Sequence, residues 1–406
     1  MKGVLKYSFA IFMAMAVFVL IFSEKKTVII KGAENFLGAI FFVDSITEGQ
    51  IKAKYEKAAE SSLKVRILVV PGHDDDFWGA GFQNLREADL NLELGEKIYG
   101  LLKNDERLEV LITRDKNGYL KEFSDYFKNQ ENEIKKFRDD NMALMRRAVE
   151  TNVVANYDGV PHNNASDEVG VRLYGINKWA NENRIDIVLH IHFNDDGARK
   201  WSRAGDYSGF AIYIPERQLS NAKASAALAK AVFPKMAKYF PVSNMPEENT
   251  GIVPEQDLIA IGAKNTLDAA AMVIEYGYIY EPQISGNLLR SAYMKELAFQ
   301  TYAGIENFFG KTIENKYQTT LLPYDFKNNF GKNYKSKDIL SLQAALINEN
   351  IYPPSGSSLN DCPMSGMFGD CTESALKVFQ EKNAINPPTG FLGELTRSKL
   401  NEIYSK

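Results

Sequence analysis

The chain has 406 residues, 45% of them hydrophobic and 25% charged, a globular composition long enough for two independent cores. Its net charge is −4 and no run of lysine and arginine interrupts it, which excludes the basic surface that nucleic-acid binding requires; nucleic acid is not an expected partner. The first residues, Met1-Lys2-Gly3-Val4-Leu5-Lys6, are basic, and 7–22 form an uncharged apolar run closed by Glu24-Lys25-Lys26, the pattern of an export signal. The run falls slightly short of the roughly 20 residues that cross a bilayer comfortably. No small-x-small cleavage site follows it, because Ala14-Met15-Ala16 lies inside the apolar run. Segment 1–26 therefore reads as a signal peptide or a membrane anchor, with the anchor favoured, and the product is expected in the cell envelope.

From residue 64 short β-rich runs alternate with amphipathic stretches, which predicts an α/β domain. A strand over 65–70 ends at Pro71-Gly72. Leu90, Leu94, Ile98, Leu101 and Leu102 recur at helical spacing and predict a helix over 86–103, followed by a strand over 108–113. A polar stretch of about 117–166 looks inserted, with a helix over 123–153 and a loop over 156–166. The alternation resumes with a helix over 169–183, strands over 185–191 and 209–214, a helix over 221–239, a last strand over 271–276 and a helix over 288–309. The expectation for 64–310 is a mixed twisted sheet flanked by helices. Residues 311–335 lose periodicity, as an interdomain linker would, and 336–406 carry helical patterns of a small all-α domain. No tandem repeat is visible, and 27–43 is unassigned.

The four histidines are the most informative residues. His73 follows a strand directly, where open α/β sheets place their reactive groups. His190 and His192 lie two apart on one strand, so the pleat sends both to the same face, one as a ligand and the other behind it. Zinc hydrolases commonly hold the metal by two histidines and a carboxylate, leaving a position for water, and Glu87, in the first turn of the helix after the His73 loop, can supply the carboxylate. Each of these residues has a plain structural alternative: a hydrogen-bonded strand-end imidazole, or a helix-start charge facing the dipole. His162, in the polar insertion, reads as an exposed side chain. Glu275 ends an apolar strand in Val273-Ile274-Glu275-Tyr276-Gly277, and burying it alone would cost several kcal/mol, on the order of a charge's desolvation; it asks for a cation or a reacting proton nearby. Cys362 and Cys371 can pair in an exported chain or remain buried thiols, whereas two thiolates alone do not complete a metal shell.

Taken in order, VVPGH ending at His73, READLNL around Glu87, IVLHIHFND over 187–195 and VIEYGYI over 273–279 resemble the zinc-dependent N-acetylmuramoyl-L-alanine amidases of the type-3 family. The resemblance implies a Zn2+ ion on His73, Glu87 and His192, Glu275 as the general base, and Asn194 shaping the site. The chain departs from the family pattern at Asp74-Asp75-Asp76, where Gly-Gly is usual, and at His190, where Ser is usual. The insertion either covers the cleft or lengthens a surface wall. The tail, through Leu340-x-Leu342-Gln343, Gly366-x-Phe368-Gly369-x-x-Thr372 and Gly390-x-x-Gly393-x-x-Thr396, resembles three-helix peptidoglycan-binding domains, in which a Cys362–Cys371 bridge would brace a loop. The implied reaction is hydrolysis of the amide between N-acetylmuramic acid and L-alanine, with peptidoglycan as partner. No residue pattern identifies an activator protein. The rival readings are a zinc peptidase acting on the peptide stem and a non-catalytic wall binder.

Overall fold

The computed structural model describes residues 45–405 except 158, 161–165 and 198, so the segment 1–26 and His162 lie outside the described residues. A six-stranded sheet forms the centre: β1 (Val65–Pro71), β2 (Leu108–Ile112), β3 (Ile187–Asn194), β4 (Ala211–Pro215), β5 (Ile252–Glu255) and β6 (Ala270–Tyr278). The spatial order is β2-β1-β3-β6-β4-β5. The first four in that order are mutually parallel, and β4 with β5 runs against them, so the sheet is mixed.

Nearly unbroken runs of Val, Ile and Leu suit strands buried on both faces. Ile67, Val69, Leu189, Ile191, Met272 and Ile274 point into one layer, filled by Leu90, Leu94 and Ile98 of α2 (Glu87–Leu102) and by residues of α6 (Ala222–Ala237) and α7 (Asn287–Phe308). Leu68, Val70, Val188, Ala271 and Val273 point into the other, against Ile176, Trp179 and Ala180 of α5 (Asp167–Glu182). Ahead of the sheet, α1 (Glu48–Lys57) starts at a capping box between Thr47 and Gln50.

The insertion holds two helices, α3 (Lys121–Asn129) and α4 (Glu131–Glu150), in place of the single helix expected over 123–153; the chain leaves helical geometry at Gln130, where φ is −111° and ψ 15°. Both rest on α5. β5 was not foreseen, because Pro254 breaks its strand pattern; the proline is tolerated at the sheet edge, where an N–H need not be supplied to a neighbour.

Residues 311–335, expected as a linker, contain no helix or long strand, yet Leu321, Leu322 and Phe326 are buried there. Glu296, buried in α7, accepts the Thr320 N–H at 2.7 Å and its hydroxyl at 2.5 Å. Beyond stand α8 (Lys337–Asn348), α9 (Asp370–Lys382) and α10 (Glu394–Tyr404). A turn motif occurs twice among them. Gln343 accepts the Gly366 N–H at 2.8 Å and donates to Thr372 Oγ1 at 3.0 Å, while Gln380 accepts the Gly390 N–H at 2.7 Å and donates to Thr396 Oγ1 at 2.9 Å. Cys362 and Cys371 form a disulfide, with Cα atoms 5.9 Å apart. No helix among the described residues is long and apolar enough to cross a membrane.

Candidate active site

The strand register creates the site. Pro71 of β1 lies beside Ile191 of β3, and Ile191 beside Ile274 of β6, so three parallel strands end level. One residue further on, His192 and Glu275 are direct neighbours, and His73 is two residues beyond Pro71. Glu87 arrives from a different direction. A short hairpin, Gly81–Phe82 with Leu85–Arg86, turns the chain back and starts α2 under the strand ends.

His73, Glu87 and His192 meet, their donor atoms all within 4.8 Å of one another. His73 Nε2 is 3.2 Å from Glu87 Oε2, and His192 Nδ1 is 3.0 Å from Glu87 Oε1. The Nδ1–H of His73 donates to the Phe77 carbonyl at 3.1 Å, which fixes the ring and leaves Nε2 as its open donor. The Ala80 N–H at 2.9 Å and Asn91 Nδ2 at 3.2 Å hold the Glu87 carboxylate in turn. Two imidazoles and one carboxylate in this arrangement suit a divalent metal of borderline softness.

Close packing demands glycine here. A Cβ on Gly72 would fall 2.2 Å from the His192 ring, and one on Gly79 would fall 2.3 Å from Glu87 Oε2 and 2.6 Å from His73 Cδ2. His73 itself has φ of 60°, an uncommon conformation for a non-glycine residue that aims its ring into the site. Buried Arg114 clamps the loop by donating to the carbonyls of Pro71, Gly72 and Ala88 at 3.0, 3.0 and 2.7 Å. Asp74 is not aimed at the donors. It accepts the N–H groups of Asp76 and Phe77 and pairs with Arg172 of α5, so the charge of the acidic run is met locally.

Burial alone would raise the Glu87 carboxyl, but the two histidines hold it well below the usual carboxylate range. Burial opposes charge on both rings; at His73 the Glu87 charge and the Phe77 hydrogen bond overcome it and lift the pKa, whereas at His192 burial wins and the pKa falls. At Glu275 burial comes first and the Glu87 and Glu248 charges add to it, so its pKa is raised well above the usual value. Its Oε2 is buried without a hydrogen-bond partner among the described residues.

His190 lies on the same face as His192, their rings stacked at 6.3 Å, and burial together with His192 pushes it down to about 3. It therefore packs as a neutral ring. Asn194 donates to Glu248 Oε1 at 2.7 Å. Glu248 was missed from the sequence. Buried in the loop between α6 and β5, it also accepts the hydroxyls of Tyr213 at 2.5 Å, Tyr278 at 3.1 Å and Ser243. Nothing in Pro246-Glu247-Glu248-Asn249 marks one glutamate as buried and its neighbour as exposed.

The profile of the N-acetylmuramoyl-L-alanine amidases matches residues 67–307, and that of a peptidoglycan-binding domain matches 335–400. No curated protein matches the chain. Similar solved structures include an N-acetylmuramoyl-L-alanine amidase from Clostridium difficile 630, at 16% identity over 61% of this chain and 98% of that one, with a TM-score of 0.39. The N-acetylmuramyl-L-alanine amidase from Mycobacterium smegmatis gives 15% identity over 61% and 97%, with a TM-score of 0.40. The catalytic domain of an amidase from Bacillus (Paenibacillus) polymyxa var. colistinus gives 17% over 60% and 98%, with a TM-score of 0.38.

Proposed function

The chain belongs to the N-acetylmuramoyl-L-alanine amidase family, and from that premise we propose that His73, Glu87 and His192 hold a zinc ion while Glu275 moves the proton. As an amidase with a wall-binding domain it cleaves the bond between N-acetylmuramic acid and L-alanine in peptidoglycan, and its work lies at the cell wall. The apolar segment 7–22 and the disulfide support export, with the N-terminus cleaved or kept as an anchor.

One observation carries the reading: three donors from separate elements converge beside a half-buried glutamate that is the register partner of one of them. Zinc, when bound, supplies a Lewis acid that polarises the scissile carbonyl and acidifies a neighbouring water. Burial and the flanking carboxylates raise the proton affinity of Glu275, as a group must have to take a proton from water near neutral pH. Glu275 receives that proton as water adds to the lactyl carbonyl, and returns it to the L-alanine nitrogen as the C–N bond breaks. Neutral His190 backs the His192 ring, and the Asn194–Glu248 pair holds the far wall.

Mass analysis of digested wall together with zinc stoichiometry tests the proposal. New L-alanine amino termini and one zinc per chain are expected; cuts further along the stem would make the enzyme a peptidase, and intact wall would make it a binder.

A further inference from the structure

Three tryptophans occur in the chain, and two stand beside the proposed zinc site. Trp179 is buried against Phe123. Trp78 lies in the loop between His73 and Glu87, and Trp201 in the loop that leaves β3 after His192; their rings meet edge to face with centroids 5.6 Å apart. Trp201 is 53% exposed. A Cβ on Gly81 would fall 2.1 Å from the Trp201 ring and 2.8 Å from that of Trp78, whereas the Cβ of Gly79 would touch Glu87 and His73. Gly79 and Gly81 are two residues apart, at most about 7 Å of extended chain, so the near edges of the indoles come within about 12 Å of the metal donors.

The backbone around both indoles is tied down, with Arg199 also donating to the Trp201 carbonyl at 3.0 Å. The Arg199 side chain, only 4% exposed, pairs with Asp195, donates to the Gly81 carbonyl at 2.5 Å, and lies 5.3 Å over each of the Phe82 and Tyr280 rings. On the other side the Ala88 N–H donates to the Trp78 carbonyl at 3.1 Å. A large apolar ring left in solvent beside a site, and packed edge to face on a second indole, has the character of a recognition anchor.

We propose that Trp201, braced by Trp78, is the saccharide rim of this active site and stacks on the pyranose ring of the muramic acid whose lactyl amide is cut. The inference rests on the amidase reading. A single lactyl group joins the scissile carbonyl to that ring, so the ring must lie within a few bonds' length of the donors. Pyranose C–H faces pack on indole faces, and Trp201 is the exposed indole within that reach.

The test compares two soluble substrates with one peptide stem, an N-acetylmuramyl-L-alanyl peptide and the N-lactoyl-L-alanyl peptide that lacks the sugar. W201A should lower kcat/KM on the muramyl substrate about tenfold relative to the lactoyl one, chiefly through KM, with zinc content unchanged and W201F restoring most of it. Calorimetric binding of N-acetylmuramic acid to metal-free enzyme should weaken in parallel. Equal losses on both substrates, or no loss on either, overturn the rim, the former placing the stem peptide against the indole. Wild-type enzyme that opens neither substrate and frees no L-alanine amino terminus from wall removes the amidase reading itself, and the rim falls with it.

Discussion

Glu275 and His73 stand at the same strand ends but answer to different tests. Glu275→Gln keeps the shape of the side chain and removes its ability to shuttle a proton. Turnover on purified wall should fall by about 100- to 10,000-fold, with zinc content intact by atomic absorption. His73→Ala should lose zinc and turnover together, because the ring contributes one of three donors. A Glu275→Gln enzyme of near-normal rate would transfer the proton step to another group. Retained zinc in His73→Ala would remove His73 from the ligand set.

Helices and loops are tied by polar groups that can be titrated or deleted one at a time. Asp105, in the turn between α2 and β2, accepts the Tyr55 hydroxyl of α1 and the Lys311 ammonium. Burial alone would raise its carboxyl, but those partners and the Arg107 N–H hold it at about 2. The unfolded value is about 3.9, so the unfolded chain binds more protons between the two values, and the stabilisation is complete above the higher one and lost as pH falls through the lower. Asp105→Asn should therefore cost about 1 kcal/mol at pH 7 after allowance for solvent screening, and denaturant melts of the two proteins should converge near pH 2. A gap that persists there would mean the effect is packing, not charge. In the C-terminal bundle, Gln380→Ala strands the Gly390 N–H and the Thr396 hydroxyl, an expected loss of about 1–3 kcal/mol. Gln343→Ala should cost a similar amount, since it occupies the equivalent place in the first copy of the turn; unchanged melting of both variants would show that solvent replaces these bonds freely.

At the scale of the molecule, the three-helix unit is docked on the catalytic unit. Asn348 donates to the Tyr317 carbonyl at 2.9 Å and accepts from Lys238 at 2.9 Å, Asn360 donates to the Val242 carbonyl at 2.9 Å, and one apolar cluster contains both Val69 of β1 and Leu400 of α10. Scanning calorimetry should accordingly show a single cooperative transition, and removal of 336–406 should lower the melting temperature of the remainder. Two separate transitions, with the larger unmoved by truncation, would make the bundle a free tether. A docked bundle holds the wall polymer at a fixed distance from the strand ends, which adds orientation to the gain in local substrate concentration.

Residue order was enough for features written locally. Apolar runs bounded by Pro71-Gly72 or Gly277 mark strands, and helical spacing of Leu90, Leu94 and Ile98 marks α2. Imidazole and carboxyl at strand ends mark candidate donors, because these signals lie within a few residues of one another. The partnership of His192 with Glu275 depends on how β3 and β6 slide past each other, and the burial of Glu248 on hydroxyls drawn from β4, β6 and the loop after α6. The meeting of Trp78 with Trp201 depends on Arg199 reaching Gly81 from a loop more than a hundred residues away in the chain. Such contacts are set by register and packing between distant segments, and no short window of residues encodes the distance between them.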